Sequence, residues 1–388
     1  PMKYLASFLL LIAANTGIQA QAIHYKSIVV DTHNDCITAC IEKKVSLDQD
    51  LTGINHSDLK RFKQGGLDYQ LFSVWCDGEK VNPYAWAMRE MDTLDAVAAR
   101  NPDKMVVAKN WSQIQKALKE GKLVAQYGVE GGHMIEDDIN RLDTFYKRGV
   151  RYMTLTWNNS PSWASSHTAE NSSKYTGQKG LNDFGKQIIQ RMNQLGIIVD
   201  LSHVGEKTFW DAINTTTKPV IASHSNAYSI CPVTRNLKDD QIKAVGKNGG
   251  VICLNFFSGF VDSNFSKKDM AFRKAHSAEI DSLLATGIQR EYAFTMISDK
   301  YKTESEAIKP TIEQLMQHFD HIVKLIGINH VGIGSDFDGI NSAPQGLSTV
   351  LDYPNFTKAL IARGYSNKDI KKVLGGNFLR VYRSNNPN

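Results

Sequence analysis

The chain has no run of basic residues and no long apolar segment. Its formal net charge of +5 is spread over 388 residues, which gives no sign of a nucleic-acid-binding or membrane-surface protein. The most apolar stretch, Leu5 to Ala14, is shorter than the roughly 20 residues that cross a bilayer. We therefore expect neither a nucleic-acid partner nor a membrane span.

Cysteine is also scarce, and no two cysteines have C-x-x-C spacing. The chain contains five of them, so at most two disulfides can form, and their pairing cannot be deduced from sequence. Cys36 and Cys253 lie in or beside apolar, strand-like runs, where we expect plain buried thiols. An exported chain of this length can build its core without disulfides.

The first residues are typical of a signal peptide. Met2 and Lys3 supply the positive end, Leu5 to Ala14 the apolar stretch, and Ala20-Gln21-Ala22 the cleavage site. We predict a signal peptide over residues 1–22, with Pro1 as a cloning remnant. No cysteine follows the cleavage site, and the polar C-terminal tail lacks a glycolipid-anchor signal. We therefore expect an exported, soluble protein, either periplasmic or secreted.

Strand-like apolar runs alternate with amphipathic helical stretches along residues 23–388, without a repeat or a low-complexity linker, which favours one domain. This alternation is typical of a parallel sheet. Strands are predicted at 27–33, 67–75, 123–130, 150–157, 196–202, 219–224, 249–255 and 330–335. The clearest predicted helices are 85–99, 137–147, 183–195, 239–247 and 312–325. Eight strands, each followed by helical sequence, predict an α/β fold of the (β/α)8 TIM-barrel type.

Two longer segments interrupt the alternation. Residues 158–180 form a polar loop after the fourth predicted strand, and residues 256–309 form a helix-containing insertion after the seventh. In a barrel both would lie on the C-terminal face, which carries the active site.

The polar residues of interest end the predicted strands. The first strand ends in His33 and Asp35, which offer one nitrogen and one oxygen ligand, a mixture that suits zinc. Other predicted strands end in Glu130, His203, His224 and Asp336. Each alone is open to a plainer interpretation, as a hydrogen-bonded histidine, a cap or a turn residue. Their recurrence at equivalent positions favours one site at the barrel rim.

Two metal ions fit this set better than one. His33 and Asp35 would hold one ion, His203 and His224 the other, and Glu130 would bridge them. Two ions can share a water and lower its pKa, which creates a bridging hydroxide nucleophile. Asp336 would then take the proton of that hydroxide and pass it to the leaving group.

These residues lie in blocks that resemble the membrane (renal) dipeptidases, zinc dipeptidases of the metallo-dependent hydrolase superfamily. The matching blocks are Asp31-Thr32-His33-Asn34-Asp35, Gly128-Val129-Glu130-Gly131-Gly132-His133, Tyr152-Met153-Thr154-Leu155-Thr156, Asp200-Leu201-Ser202-His203, Ser223-His224-Ser225-Asn226-Ala227-Tyr228, Arg235-Asn236 and Gly334-Ser335-Asp336-Phe337-Asp338-Gly339. The resemblance implies two Zn²⁺ ions per chain on the ligands named above. It also implies that Arg235 holds the terminal carboxylate of a dipeptide, with Asn236 beside it.

One position departs from the family pattern. After Leu155-Thr156 the family usually has a histidine that polarises the scissile carbonyl, and this chain has Trp157. A tryptophan offers one N–H and no cationic form. Asn158, Asn159 or His167 could supply the missing donor, or Trp157 could form a wall that selects a side chain. We expect Trp157 and Asn158 to contact the substrate.

The prediction is therefore a binuclear zinc dipeptidase with a small dipeptide as its partner, and a homodimer is compatible with it. One alternative is a related amidohydrolase that acts on a lactam, an ester or an N-acyl amino acid. Another is a secreted binding protein that keeps the barrel without catalysis.

Overall fold

Nine strands are present in residues 22–288 and 290–386, which this computed structural model describes. They are β1 Val30–Asn34, β2 Tyr69–Val74, β3 Met105–Val107, β4 Leu123–Glu130, β5 Val150–Thr154, β6 Ile198–Asp200, β7 Ile221–Ala222, β8 Val251–Leu254 and β9 Val331–Ile333. Eight of them pair in parallel in the order β1-β2-β4-β5-β6-β7-β8-β9, and β9 pairs back to β1. The predicted TIM barrel is confirmed.

The strand β3 was not predicted. It pairs with the first residues of β4, from Leu123 to Ala125, outside the closed ring. Three residues are too few to show a period, so sequence reasoning had no signal for this strand.

Helices cover the outside of the barrel. Those of the barrel wall and its two ends are Cys36–Lys43, Leu59–Gln64, Pro83–Arg100, Trp111–Lys119, Arg141–Arg148, Asp183–Leu195, Glu206–Thr215, Asp239–Asn248, Ile312–Ile326, Tyr353–Ala362, Asn367–Lys371 and Asn377–Asn385. Short helical turns lie at Gly132–Ile135, Ile328–His330, Val350–Asp352 and Lys372–Gly376. The five helices predicted most clearly are all present.

The start of the helix Ile312–Ile326 illustrates why these boundaries lie where they do. The Thr311 side chain accepts a hydrogen bond from the Gln314 backbone N–H, and the Gln314 side chain accepts one from the Thr311 N–H. This reciprocal capping box satisfies backbone donors that an exposed helix start leaves free.

Both predicted interruptions follow the strands that the sequence indicated. The loop after β5 contains the short helix His167–Glu170. The insertion after β8 is helical, with Ser258–Val261, Phe265–Ala275, Ser277–Ala285, Arg290–Lys300 and Lys302–Ile308. Phe272, Ile280 and Ile297 form a small apolar cluster of its own.

The barrel interior is filled by alternate residues of each strand. On β4, Val124 packs in the interior cluster, whereas Ala125, Tyr127 and Val129 pack outward in the larger cluster. A side chain at Gly128 would overlap the interior ring of Tyr152, because a Cβ there would lie 1.9 Å from its Cζ. Glycine at this position therefore leaves room for the tyrosine.

The helix Asn377–Asn385 covers one end of the barrel. Its residues Phe378, Val381 and Tyr382 complete the interior cluster, and the Phe378 ring meets Tyr69 edge to face at 5.8 Å. The opposite end, where the strands have their C-termini, carries the polar residues described below.

Three other sequence expectations concern the chain as a whole. All five cysteines are buried and free, as expected for Cys36 and Cys253. None of the helices in the described ranges combines the length and the apolar composition needed to cross a bilayer. The predicted signal peptide lies outside the described residues, apart from Ala22.

Candidate metal centre and active site

Glu130 reaches the mouth of the barrel because it continues the inward-facing positions of β4. Residues 124, 126, 128 and 130 share one face of the strand. The two carboxylate oxygens of Glu130 face different histidines. Its Oε2 lies 3.4 Å from His33 Nε2, and its Oε1 lies 2.9 Å from His203 Nε2.

His33 brings two further carboxylates together. Its Nε2 lies 3.4 Å from Asp35 Oδ2 and 3.9 Å from Asp336 Oδ1. Asp35 is not part of the strand, contrary to the simple alternation expected from sequence. It follows the end of β1 and directly precedes the helix Cys36–Lys43, so this turn of the chain sets its direction.

His203 and His224 form the other half of the site. Their Nε2 atoms lie 3.0 Å apart, and His224 Nε2 lies 3.4 Å from Glu130 Oε1. Burial lowers the pKa of His203 to about 4 and lowers the pKa of His224 well below its ordinary value. Both imidazoles are therefore neutral, which is the form that binds a metal ion.

Each histidine is held by its other ring nitrogen. His33 Nδ1 lies 2.7 Å from Tyr152 Oη. His203 Nδ1 lies 2.9 Å from Asn158 Oδ1, and His224 Nδ1 lies 2.7 Å from Ser223 Oγ. Because the Asn158 carbonyl oxygen can only accept, His203 carries its proton on Nδ1 and keeps the Nε2 lone pair free. Such partners orient metal-binding histidines.

Two buried aspartates that sequence reasoning missed stabilise the strand ends. Asp200 accepts hydrogen bonds from Ser223 through Oγ at 2.6 Å and through the backbone N–H at 2.8 Å. Asp31 likewise accepts two hydrogen bonds from Ser335, one from its Oγ at 2.5 Å and one from its backbone N–H at 3.0 Å. Each serine directly precedes a site residue, His224 in one case and Asp336 in the other. The repeated Asp–Ser arrangement was a signal available in the sequence.

Asp336 lies at the edge of the carboxylate group with its backbone in the left-handed region, at φ 64°. Its Oδ2 accepts a hydrogen bond from Asn255 Nδ2 at 2.9 Å. Burial, together with the nearby charges of Asp35 and Glu130, raises the pKa of Asp336 well above its ordinary value. Gly339 is required beside it, because a Cβ there would lie 2.2 Å from Asp35 Oδ2.

The donor set fits divalent metal ions. Three carboxylates surround His33 Nε2, which is buried and lacks a hydrogen-bond partner among the described residues. Ligand atoms of His33, Glu130 and His224 lie within 4.8 Å of one another, as do those of His33, Asp35 and Asp336. Closely spaced buried carboxylates are costly without a compensating cation. Mixed imidazole and carboxylate donors suit zinc and similar ions.

Arg235 is buried beside this group rather than exposed in a surface salt bridge. Its guanidinium donates to Ser225 Oγ and to the His224 backbone oxygen, both at 3.3 Å, and its Nε has no partner among the described residues. Burial lowers the pKa of Arg235 to about 10, so the group remains charged at neutral pH. It forms no ion pair within the described ranges, which leaves a buried cation available to an anionic ligand.

Asn236 is engaged with backbone groups. Its Nδ2 donates to the carbonyl oxygens of Cys231 and Phe260, both at 2.9 Å, and its Oδ1 accepts from the Asn226 N–H at 3.3 Å. These contacts support a role in shaping the loop that carries Arg235. Direct substrate contact by Asn236 stays a prediction.

The loop after β5 brings Trp157, Asn158 and His167 to the same side of the mouth. The Trp157 and His203 rings lie 6.5 Å apart, and Asn158 Oδ1 accepts hydrogen bonds from both His203 and His167. His167 Nδ1 lies 2.8 Å from Thr234 Oγ1, so both of its ring nitrogens are occupied. Asn159 instead packs against Gly78.

A sequence model of the membrane dipeptidase family, peptidase family M19, matches residues 18–387. The chain belongs to this family. Dipeptidase 3 of Macaca fascicularis is 30 % identical to it, and Dipeptidase 3 of Homo sapiens is 29 % identical, each over 371 residues. The alignments cover 94 % of this chain and 66 % of each relative, so the chain spans just under two thirds of their length.

Two solved structures share the fold of this chain. The probable dipeptidase PvdM from Pseudomonas aeruginosa has a TM-score of 0.76 at 24 % identity, covering 96 % of this chain and 99 % of that one. A metallopeptidase from Rhodobacter sphaeroides, solved with a phosphinate mimic of the dipeptide L-Ala-D-Ala, has a TM-score of 0.73 at 22 % identity. That match covers 92 % of this chain and 99 % of the other.

Proposed function

We propose that the protein is a metal-dependent dipeptidase with two divalent ions, zinc by preference, in the barrel mouth. His33 and Asp35 would hold one ion, His203 and His224 the other, and Glu130 would contact both. The observation that carries this proposal is the orientation of Glu130, whose two oxygens face His33 and His203 separately, at 3.4 and 2.9 Å. Membership of the membrane dipeptidase family supports it.

The bound ions would supply Lewis-acid activation of water and of the scissile carbonyl. Asp336 is the group suited to hold and move a proton, because its raised pKa favours uptake and its Oδ1 faces the ligand group. The Asn255 amide fixes its other oxygen, so Oδ1 is the atom that exchanges the proton.

Arg235 would bind the free carboxylate of a dipeptide. A buried guanidinium with no carboxylate partner in the described chain suits such a charge-assisted contact. A requirement for a free carboxylate on the substrate would separate a dipeptidase from related enzymes that act on esters or lactams without one.

Asn158 is the best candidate for the donor that Trp157 does not supply. Its Oδ1 holds His203, and no described residue accepts a hydrogen bond from its Nδ2, which is free to donate to the substrate carbonyl. His167 is less suited, because Asn158 and Thr234 occupy both of its nitrogens. Burial, with the charge of Arg235, also lowers the pKa of His167 to about 2, so it stays neutral.

A dipeptide panel tests the proposal. We expect hydrolysis of L,L-dipeptides that a chelator abolishes and Zn²⁺ restores, with D-residues at the carboxyl terminus included in the panel. Amidation of the carboxyl terminus should raise KM strongly in the wild type and have little effect in Arg235→Met. Turnover of amidated and free dipeptides at equal rates would favour a related amidohydrolase. Absence of turnover on every dipeptide with metal present would favour a binding protein.

A further inference from the structure

A tryptophan that takes no part in the metal-ligand group follows the end of β2. Tyr69 and Leu71 pack in the barrel interior, and Ser73 Oγ donates to Glu130 Oε2 at 3.2 Å. Trp75 follows two residues later, just beyond the strand. Trp75 therefore lies near the mouth of the barrel, and its contacts with neighbouring residues give its position.

Trp75 forms an aromatic pair with Trp157. Their rings meet edge to face at 5.0 Å, a favourable arrangement of two aromatic groups. The Trp86 indole donates to the Trp75 backbone oxygen at 2.9 Å and fixes its position. Trp75 Nε1 itself has no partner among the described residues. Two partly exposed tryptophans beside a polar metal centre form a rigid apolar surface.

Trp75 follows the strand that lies opposite the strand beside Arg235, and Trp157 follows β5, between the two. Arg235 is anchored at the end of β7 through the His224 backbone oxygen. In the ring of eight strands, β2 is four strands away from β7 in either direction, which is the opposite side. A dipeptide held by its carboxylate at Arg235 would therefore extend its amino-terminal residue towards Trp75 and Trp157.

We propose that the Trp75–Trp157 pair binds the amino-terminal side chain of the substrate and selects large apolar or aromatic residues there. This inference rests on the proposed dipeptidase function and names its substrate class. Aromatic side chains pack well on a fixed indole pair, and small or negatively charged ones gain little from it. The carboxyl-terminal side chain does not meet this surface.

Two matched substrate series test the inference. In the X-Gly series the wild type should prefer Phe-Gly over Ala-Gly by at least about tenfold in kcat/KM. Trp75→Leu should remove most of that preference, and Trp75→Phe should retain it. The ratio between Gly-Phe and Gly-Ala should be the same in all variants. Trp111→Leu, at the other end of the barrel, is the matched control and should leave both ratios unchanged.

The outcomes separate the two proposals. Hydrolysis of dipeptides with the same Phe-Gly preference in Trp75→Leu and the wild type would overturn the role of the tryptophan pair and leave the dipeptidase intact. An equal loss of kcat/KM in the X-Gly and Gly-X series of Trp75→Leu would also overturn the role of the tryptophan pair. The thermal unfolding midpoint of each variant shows whether a loss of activity results from a loss of stability. No turnover of any dipeptide by the wild type would overturn the dipeptidase proposal itself.

Discussion

The Ser223 hydroxyl donates a hydrogen bond of 2.6 Å to Asp200 Oδ2, and this contact determines the state of a neighbouring histidine. Because its hydrogen is committed to Asp200, Ser223 Oγ can only accept from His224 Nδ1, at 2.7 Å. His224 therefore carries its proton on Nδ1 and presents the Nε2 lone pair towards Glu130. Asp200 therefore orients His224, a residue of the candidate metal centre, through Ser223.

Ser223→Ala should weaken metal binding. The variant leaves His224 Nδ1 without its acceptor, and loss of such a partner typically costs about 10- to 100-fold in metal affinity. Competition between the protein and a chromogenic chelator for Zn²⁺ measures the change directly. Ser335→Ala is the matched control, because Ser335 makes the same contact with Asp31 but contacts only the backbone oxygen of a histidine, His33, and no imidazole nitrogen. Equal loss of affinity in both variants would mean that disrupted strand ends, and not the histidine, are responsible.

Asp336→Asn should nearly abolish turnover and leave the metal content unchanged. An amide cannot exchange the proton, and positioned proton transfer contributes about 10²- to 10⁴-fold to a rate. Steady-state kinetics and elemental analysis of the same preparation give both quantities. Loss of metal from this variant would show that Asp336 is a ligand, and the proton would then need another carrier.

Asn158→Asp should separate the two roles assigned to Asn158. The aspartate keeps an oxygen for His203 but lacks the N–H donor, so kcat should fall by about 10²-fold while Zn²⁺ affinity is retained. Asn158→Leu removes both groups and should lower both quantities. Unchanged kcat in Asn158→Asp would return the carbonyl-polarising role to another residue of the loop.

The fold was predictable because each strand carries its own signal. The apolar runs identify all eight strands of the ring, and the parallel barrel then brings their ends to one face, so His33, Glu130, His203 and His224 could be grouped from sequence. These four side chains contact one another in the structure, and the two-ion arrangement stays a proposal. Asp35 joins them through the turn into a helix, which strand alternation does not describe.

Other parts of the site were not predictable from local patterns. Arg235 lies in an irregular segment after β7, where no periodicity locates a side chain, and only the family resemblance drew attention to it. Trp75 lies one residue beyond β2 and looks like an ordinary buried aromatic in the sequence. The contact between Asn158 and His203 joins two loops, so it depends on tertiary structure alone.

His318 should make stability depend on pH in the acid range. It is fully buried, accepts from the Ala227 N–H at 3.1 Å through Nδ1 and donates to the Val261 oxygen at 3.0 Å through Nε2. Burial lowers its pKa from 6.5 to about 4, so below pH 6.5 the unfolded chain binds the proton more tightly. This contribution to stability is complete above pH 6.5 and is lost as the pH falls towards 4.

His318→Gln keeps one acceptor and one donor but does not titrate. Between pH 7 and pH 4.5 the wild type should therefore lose about 1 to 3 kcal/mol more unfolding free energy than the variant, as measured by urea denaturation. His330→Gln, on the helical turn Ile328–His330, serves as the control. Parallel losses in the wild type and His318→Gln would show that other groups govern the acid response.

Titration of the metal-free protein with Zn²⁺, with dipeptide hydrolysis recorded at each addition, tests the central claim most directly. Two half-sites that share Glu130 predict that activity rises to a plateau at two equivalents of Zn²⁺ per chain, with two ions retained after mild dialysis. Full activity at one equivalent, or hydrolysis that persists without metal, would contradict the two-ion site.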